Sequence, residues 1–262
     1  MELPVGMMIN GLDTFILVFI RMTGLFVIAP IFGRRNIPNY FKIGFSLMLA
    51  LIIINTLPPV QLSYYDNIYA YTLLVFKEFI VGITLGYVSY LVFTAIYMAG
   101  QIIDMQIGFG MVSVLDPVSN IQVPVTSNFY FIICMMIFLD FNGHHALIRS
   151  LFESYNILPI GTAAFNPELM NDIIRAFGNI FIIGFKISAP IVATILITDV
   201  ALGVISKSVP QLNFFVVGIP IKIVLGLAVL ILTLKMFGSV VDVLINGMNS
   251  EMLNFIKDMA PK

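Results

Sequence analysis

Apolar residues fill six long runs of this chain, and polar residues gather in the stretches between them. The runs extend from Thr14 to Phe32, Ile43 to Leu57, Tyr71 to Ile103, Phe129 to Phe141, Ile173 to Ile205 and Ile223 to Ile245. A helix crosses the hydrocarbon layer with roughly 20 mostly apolar residues. The pattern therefore predicts an all-α integral membrane protein with about six long hydrophobic helices. The third, fifth and sixth runs exceed one perpendicular crossing, so those helices must tilt, kink or project beyond the bilayer. The fourth is short unless Pro124 to Asn128 extends it. Pro58-Pro59 terminates the second, and Pro190 interrupts the fifth.

The connections add detail. The longest polar stretch, Asn142 to Arg175, contains Asn166-Pro167-Glu168, which reads as a helix start with Asn166 as N-cap and Pro167 in the first position. The last two runs predict a C-terminal helical hairpin. Its tip is placed in the Pro- and Gly-punctuated stretch holding Lys207, Pro210, Gln211, Asn213, Gly218 and Pro220. The tail from Met248 to Lys262 is expected to form a short interfacial helix. Gly82 and Gly86, four apart, mark a face where two helix backbones can approach closely. Basic residues in the odd-numbered connections (Arg34, Arg35, Lys42 and Lys207) favour placing those connections in the cytoplasm and both termini outside.

One connection does not suit ordinary solvation. Gln101 to Asn128 carries no Lys or Arg, and Asp104 and Asp116 are its only charges. Gly108, Gly110, Pro117 and Pro124 prevent a continuous helix across it. Irregular backbone at membrane depth is tolerated only where protein buries it or where it lines a cavity. The loop is expected to fold inward, onto or into a passage; a surface loop between two spans is the alternative reading.

Composition sharpens the class. Of 262 residues, 60% are hydrophobic and 10% charged, against about 25% charged in soluble domains. A net charge of -1 gives no reason to expect nucleic acid as a partner. Charges nevertheless lie within or beside the apolar runs, among them Arg21, Lys77, Glu78, Asp104, Lys186, Asp199 and Lys222. Each would cost about 2.5–3.5 kcal/mol at a helix centre in lipid, so they must pair, face water or meet protein. Lys77 and Glu78 are adjacent and point to different sides of a helix, so each needs a partner from another segment or another chain.

Enzyme chemistry is poorly represented. There is no phosphate-binding G-x-x-x-x-G-K-[ST], no H-E-x-x-H, and no nucleophile–base–orienter set around Ser239. His144-His145 has no Cys/His set nearby, so no metal or other cofactor is expected. Cys134, the only cysteine, reads as a packed small hydrophobe. Glu2 and Asp13 stand where a cleaved signal would carry basic residues, so the first apolar run is expected to be retained.

The motifs in order resemble the R-subunit family of the flagellar export gate, FliR, and its injectisome counterparts. The carriers are R-M-T-G-L-F-V-I-A-P-I-F-G-R-R-N-I-P from Arg21, K-E-F-I-V-G-I-T-L-G from Lys77, G-Q-I-I-D-M-Q-I-G-F-G-M from Gly100, N-G-H-H from Asn142, and S-V-P-Q-L-N-F-F-V-V-G-I-P-I-K from Ser208. The resemblance implies a non-enzymatic, multi-pass inner-membrane subunit of a type III protein-export channel at the flagellar basal body, assembled helically with P and Q subunits. It implies contact with FlhB, membrane lipid and exported flagellar proteins in transit. It further implies a P-like portion (1–172) and a Q-like hairpin and tail (173–262), with a channel plug at about 108–125. In such a plug, Gly108 and Gly110 permit a tight movable backbone. Phe109, Met111, Val112, Val114 and Leu115 form the stopper, and Pro117 and Pro124 restrict its ends. Two other readings remain open on the residues alone. One is a small-solute or ion transporter with Arg21, Lys77, Glu78, Lys186 and Asp199 lining a pathway; the other is a purely structural assembly scaffold.

Overall fold

The computed structural model describes residues 3–34, 36–57, 68–109, 124–209 and 214–261. Those residues form seven α-helices: α1 (Leu3–Ile28), α2 (Asn39–Ile54), α3 (Ile68–Ile107), α4 (Val125–Asp140), α5 (Gly143–Ile157), α6 (Pro167–Ser208) and α7 (Phe214–Asp258). Six correspond to the six apolar runs. The seventh, α5, arises inside the long polar stretch because that stretch is amphipathic: Leu147, Leu151 and Tyr155 are buried while His145, Arg149 and Asn156 are exposed. Four helices are long and apolar enough to cross a membrane: α1 from Gly11, then α3, α6, and α7 from Val216. The pair α4 and α5 makes a fifth if it is counted as one broken span. At 16 residues each, α2 and α4 fall short of a full crossing by themselves. The long helices of 40, 42 and 45 residues exceed a bilayer's hydrocarbon thickness, as the overlong runs required.

The chain divides into two compact units that α3, α6 and α7 each contribute to. The first comprises Met1–Leu91, Asn142–Ala176 and Ile245–Lys262. Its seam is the contact of α1 with α3. Gly24 faces the Phe79 carbonyl, where a Cβ would come within 2.7 Å, and Gly86 meets the Leu25 carbonyl in the same way. A Cβ on Gly82 would overlap the Arg21 carbonyl. Only backbones without side chains can approach so closely, which confirms the expected Gly82/Gly86 packing face. Phe26, Phe32 and Phe45 close the side toward α2, with ring centroids 4.8–5.5 Å apart.

The tail does not form a separate interfacial helix. It continues α7 to Asp258 and buries Met248, Met252, Phe255 and Met259 in the first unit. The Asn166 side-chain amide donates to the carbonyls of Asp258 (3.2 Å) and Ala260 (3.4 Å), and the Ala164 N–H donates to Met259 (2.9 Å). Asn166 does precede Pro167 at the start of α6, as expected, but its amide satisfies carbonyls left open at the far end of α7.

The second unit, Val92–Phe141 with Phe177–Leu244, packs the C-terminal half of α3 with α4 and the α6–α7 hairpin. Phe93 contacts Phe131 and Phe138, and Tyr130 stacks on Phe237 at 4.8 Å. A Cβ on Gly226 would run into Ile107, within 2.6 Å, and approach Ile195 within 3.6 Å, so this glycine admits α3 against the hairpin. Cys134 is buried here, as expected of a packing residue.

Candidate functional site

Both feet of the unusual loop are fastened by one residue. Asp104 lies in the last turn of α3, and its backbone carbonyl accepts from the N–H groups of Gly108 (3.2 Å) and Phe109 (3.1 Å). Gly108 has φ +96°, the left-handed conformation that ends helices and that glycine adopts without strain. Thus α3 stops where the sequence places its first glycine of the loop. The Asp104 carboxylate meanwhile accepts from the N–H groups of Thr126 (2.9 Å) and Ser127 (3.3 Å) and from the Ser127 hydroxyl (3.3 Å). Those amides belong to the first turn of α4, where helix N–H groups lack intrahelical partners. The residue in the N-cap position is Pro124, whose ring offers no acceptor, so a carboxylate from another helix performs the cap.

Packing reinforces this tie. A Cβ on Gly100, one turn before Asp104, would overlap the Ser127 backbone. Asp104, Thr126 and Ser127 are all buried. The two ends of the connection are therefore held side by side, with Gly108, Phe109 and Pro124 at the feet. Gly110, Met111, Val112, Val114, Leu115 and Pro117, the remaining candidate plug residues, lie outside the described residues.

A second polar cluster sits in the first unit. Arg21 Nε donates to Glu78 Oε2 at 2.6 Å, and both side chains are fully buried. Arg21 Nη1 donates to Ser154 Oγ (3.2 Å) and to the Leu158 carbonyl (3.1 Å), while its guanidinium lies 4.3 Å over the Tyr155 ring. Glu78 Oε1 accepts from the Gly161 N–H at 2.8 Å. Gly161 has φ +83°, and a Cβ there would press within 2.9 Å of Leu74, so only glycine serves well. The helical register explains the pairing. Glu78 stands one turn before Gly82, and Arg21 one turn before Leu25, so the glycine seam brings the two charges together. The pair ties α1, α3, α5 and the turn after α5 into one body. It is enclosed by protein and does not line an open path, as the transporter reading requires.

The other candidate charges divide. Lys222 and Asp199 form an ion pair across the α6–α7 hairpin. Lys207 sits in the last turn of α6, where a cation complements the helix dipole. Lys77 and Lys186 form no hydrogen bond or ion pair with the described residues. Of the expected hairpin tip, Gly218 and Pro220 lie inside α7, which begins at Phe214, so the connection is shorter than the spacing of breakers suggests. Pro220 lies beyond the first turn of α7 and leaves the Val216 carbonyl without its helical donor. Pro210, Gln211 and Asn213 lie outside the described residues. Sequence reasoning missed Lys235. It is exposed near the middle of α7, and its only signal was its central place in the last apolar run.

Among the described residues no group of three or more His, Cys, Asp or Glu could hold a metal ion. His144 and His145 have adjacent rings, with centroids 4.2 Å apart at the start of α5. No further ligand joins them among the described residues.

Comparison with known proteins places this architecture. The model for the bacterial export proteins, family 1, matches residues 12–248. The flagellar biosynthetic protein FliR of Bacillus subtilis (strain 168) is 37% identical over 237 residues, covering 89% of this chain and 90% of that protein. FliR of Escherichia coli (strain K12) is 28% identical over 251 residues, covering 96% and 94%. FliR of Pectobacterium carotovorum subsp. carotovorum is 33% identical over 229 residues, covering 87% of each.

Proposed function

The chain belongs to the bacterial export proteins, family 1, the family of FliR, and from that premise we propose that it closes the flagellar export channel with the loop rooted at Asp104. Membership makes it a non-enzymatic, multi-pass inner-membrane component of flagellar export. In the proposed assembly it joins P and Q subunits, residues 1–172 standing as a P-like portion and residues 173–262 as a Q-like hairpin. It contacts FlhB, and exported flagellar proteins pass beside it.

The observation that carries the plug reading is the double use of Asp104. A connection that had only to join two spans would need no such fastening. Here the carbonyl closes α3 and the carboxylate opens α4, so the intervening residues leave from and return to one buried point. Their composition fits a stopper: between Asp104 and Asn128 the only charge is Asp116. By sequence, the loop's Gly and Pro residues disfavour a continuous helix, and lipid does not satisfy irregular backbone.

Deleting residues 110–121 tests the reading. In an assembled complex the deletion is expected to make membranes leaky to ions and small molecules. Unchanged conductance in a deletion complex of normal subunit content would remove the plug assignment and leave the scaffold reading.

A further inference from the structure

Lys186 and Lys235 each stand exposed in the middle of a long apolar helix, and neither forms a hydrogen bond or ion pair with the described residues. They occupy one level of the hairpin. The register of the two antiparallel arms is fixed by the Asp199–Lys222 ion pair and by the contact of Gly226 with Ile195, four residues further along each arm. Lys186 lies thirteen residues before Asp199, and Lys235 thirteen residues after Lys222. At 1.5 Å of rise per residue, both lysines therefore sit about 20 Å from the ion pair, at one level of the two arms.

Neither lipid nor water suits this surface. Lysine in hydrocarbon is disfavoured. Water at that level would instead wet Phe181, Ile182 and Phe185 on α6 and Ile231, Leu232 and Met236 on α7, all at least half exposed. A belt of lysines at the lipid headgroups would separate an apolar side from a polar one. Here exposed apolar residues continue on both sides, from Phe177 through Val204 on α6, and α6 at 42 residues is about twice as long as the hydrocarbon layer is thick. Some of this face must be covered by protein. Pro190 adds to the polar demand, because it has no N–H for the Lys186 carbonyl four residues back.

We infer that this lysine level is a contact site for another subunit, which presents an apolar helix carrying carboxylate side chains to Lys186 and Lys235. Carboxylates at that height neutralise the cations, and the flanking apolar residues of the two surfaces bury each other. The inference rests on the assembly reading above and specifies its chemistry: an acidic position within an otherwise apolar partner segment.

The test uses the full chain co-expressed with P- and Q-type subunits and purified from membranes. A carbodiimide, which joins an amine to a carboxylate without a spacer, is expected to link Lys186 or Lys235 to an Asp or Glu of another subunit. Lys186→Met and Lys235→Met together are expected to lower recovery of the complex by at least about tenfold, the loss that even one charge-assisted contact would cause. Lys→Arg at both positions is expected to keep recovery and abolish the link. Both positions are exposed, so these variants leave the fold intact. The inference is overturned if partners co-purify but no link to another chain forms and the double Met variant assembles as well as the parent or better. Links only to Asp116 of the same chain, or recovery that tracks anionic lipid content instead, would overturn it in favour of those occupants. If no partner co-purifies with the unaltered chain, the assembly reading falls, and this inference falls with it.

Discussion

Replacing Asp104 by alanine should release the foot of the loop. The carboxylate accepts three hydrogen bonds, two of them from first-turn amides of α4. Loss of an N-cap costs about 0.5–2 kcal/mol, and a hydrogen bond to a charged group contributes about 1.5–3 kcal/mol. The three contacts are not independent, and Ser127 Oγ can turn toward another acceptor. A total of about 2–4 kcal/mol for local opening follows, a shift of roughly 30- to 1,000-fold in the population of the detached foot. Asp104→Asn keeps an acceptor and caps well, so it should lose about 1–2 kcal/mol. Hydrogen exchange at the Thr126 and Ser127 amides reads the local opening, and ion conductance of the assembled complex reads its effect on closure. Faster exchange with raised conductance, in the order Ala above Asn above parent, is the expected result. Unchanged exchange at both amides in Asp104→Ala would refute the tie itself. Faster exchange with unchanged conductance would sever the tie from gating.

Three further outcomes follow from the packing. Glu78→Ala strands a buried guanidinium and should destabilise the first unit by about 3–5 kcal/mol, while Arg21→Leu with Glu78→Leu should recover most of that loss; thermal denaturation of the purified chain in detergent compares them. Gly82→Ala drives a methyl group into the Arg21 carbonyl and should prevent stable folding, whereas Gly178→Ala, with open space around it, should be neutral or raise stability by up to about 1 kcal/mol, as limited proteolysis will report. In a double-mutant cycle of Asp199→Asn and Lys222→Gln, the coupling should be about 1 kcal/mol in hairpin stability, and additive single effects would show that the pair contributes nothing.

Much of the fold was legible because lipid imposes a simple rule on composition. Six apolar runs gave six helices, the overlong runs gave the three longest helices, and Gly82 and Gly86 gave the seam. Helix α5 escaped because its buried positions are diluted by His144, His145, Arg149 and Glu153, which read as connection rather than element. The tail escaped for a related reason. Met252, Phe255 and Met259 mark an apolar face, but the sequence does not say whether lipid or protein covers it.

At the polar sites, sequence identified the residues and geometry supplied the partners. Arg21 and Glu78 were marked by their cost in lipid, yet their separation of 57 residues carries no pairing signal. Asp104 was noticed as one of the loop's few charges. The hint of its role was at the other end, in Pro124, which cannot cap the helix it precedes. Lys235 passed unnoticed because its significance lies in sharing a level with Lys186, which appears only once the arms are set in register by Asp199 and Lys222.

The central claim, that the connection rooted at Asp104 occupies the channel it closes, is tested most directly at Val114. A cysteine placed there can be challenged with a membrane-impermeant thiol reagent in the resting, fully assembled complex, because the native Cys134 is buried. The account predicts protection at rest and labelling once an exported protein is engaged. Labelling at the bulk-solvent rate in the resting complex would contradict it.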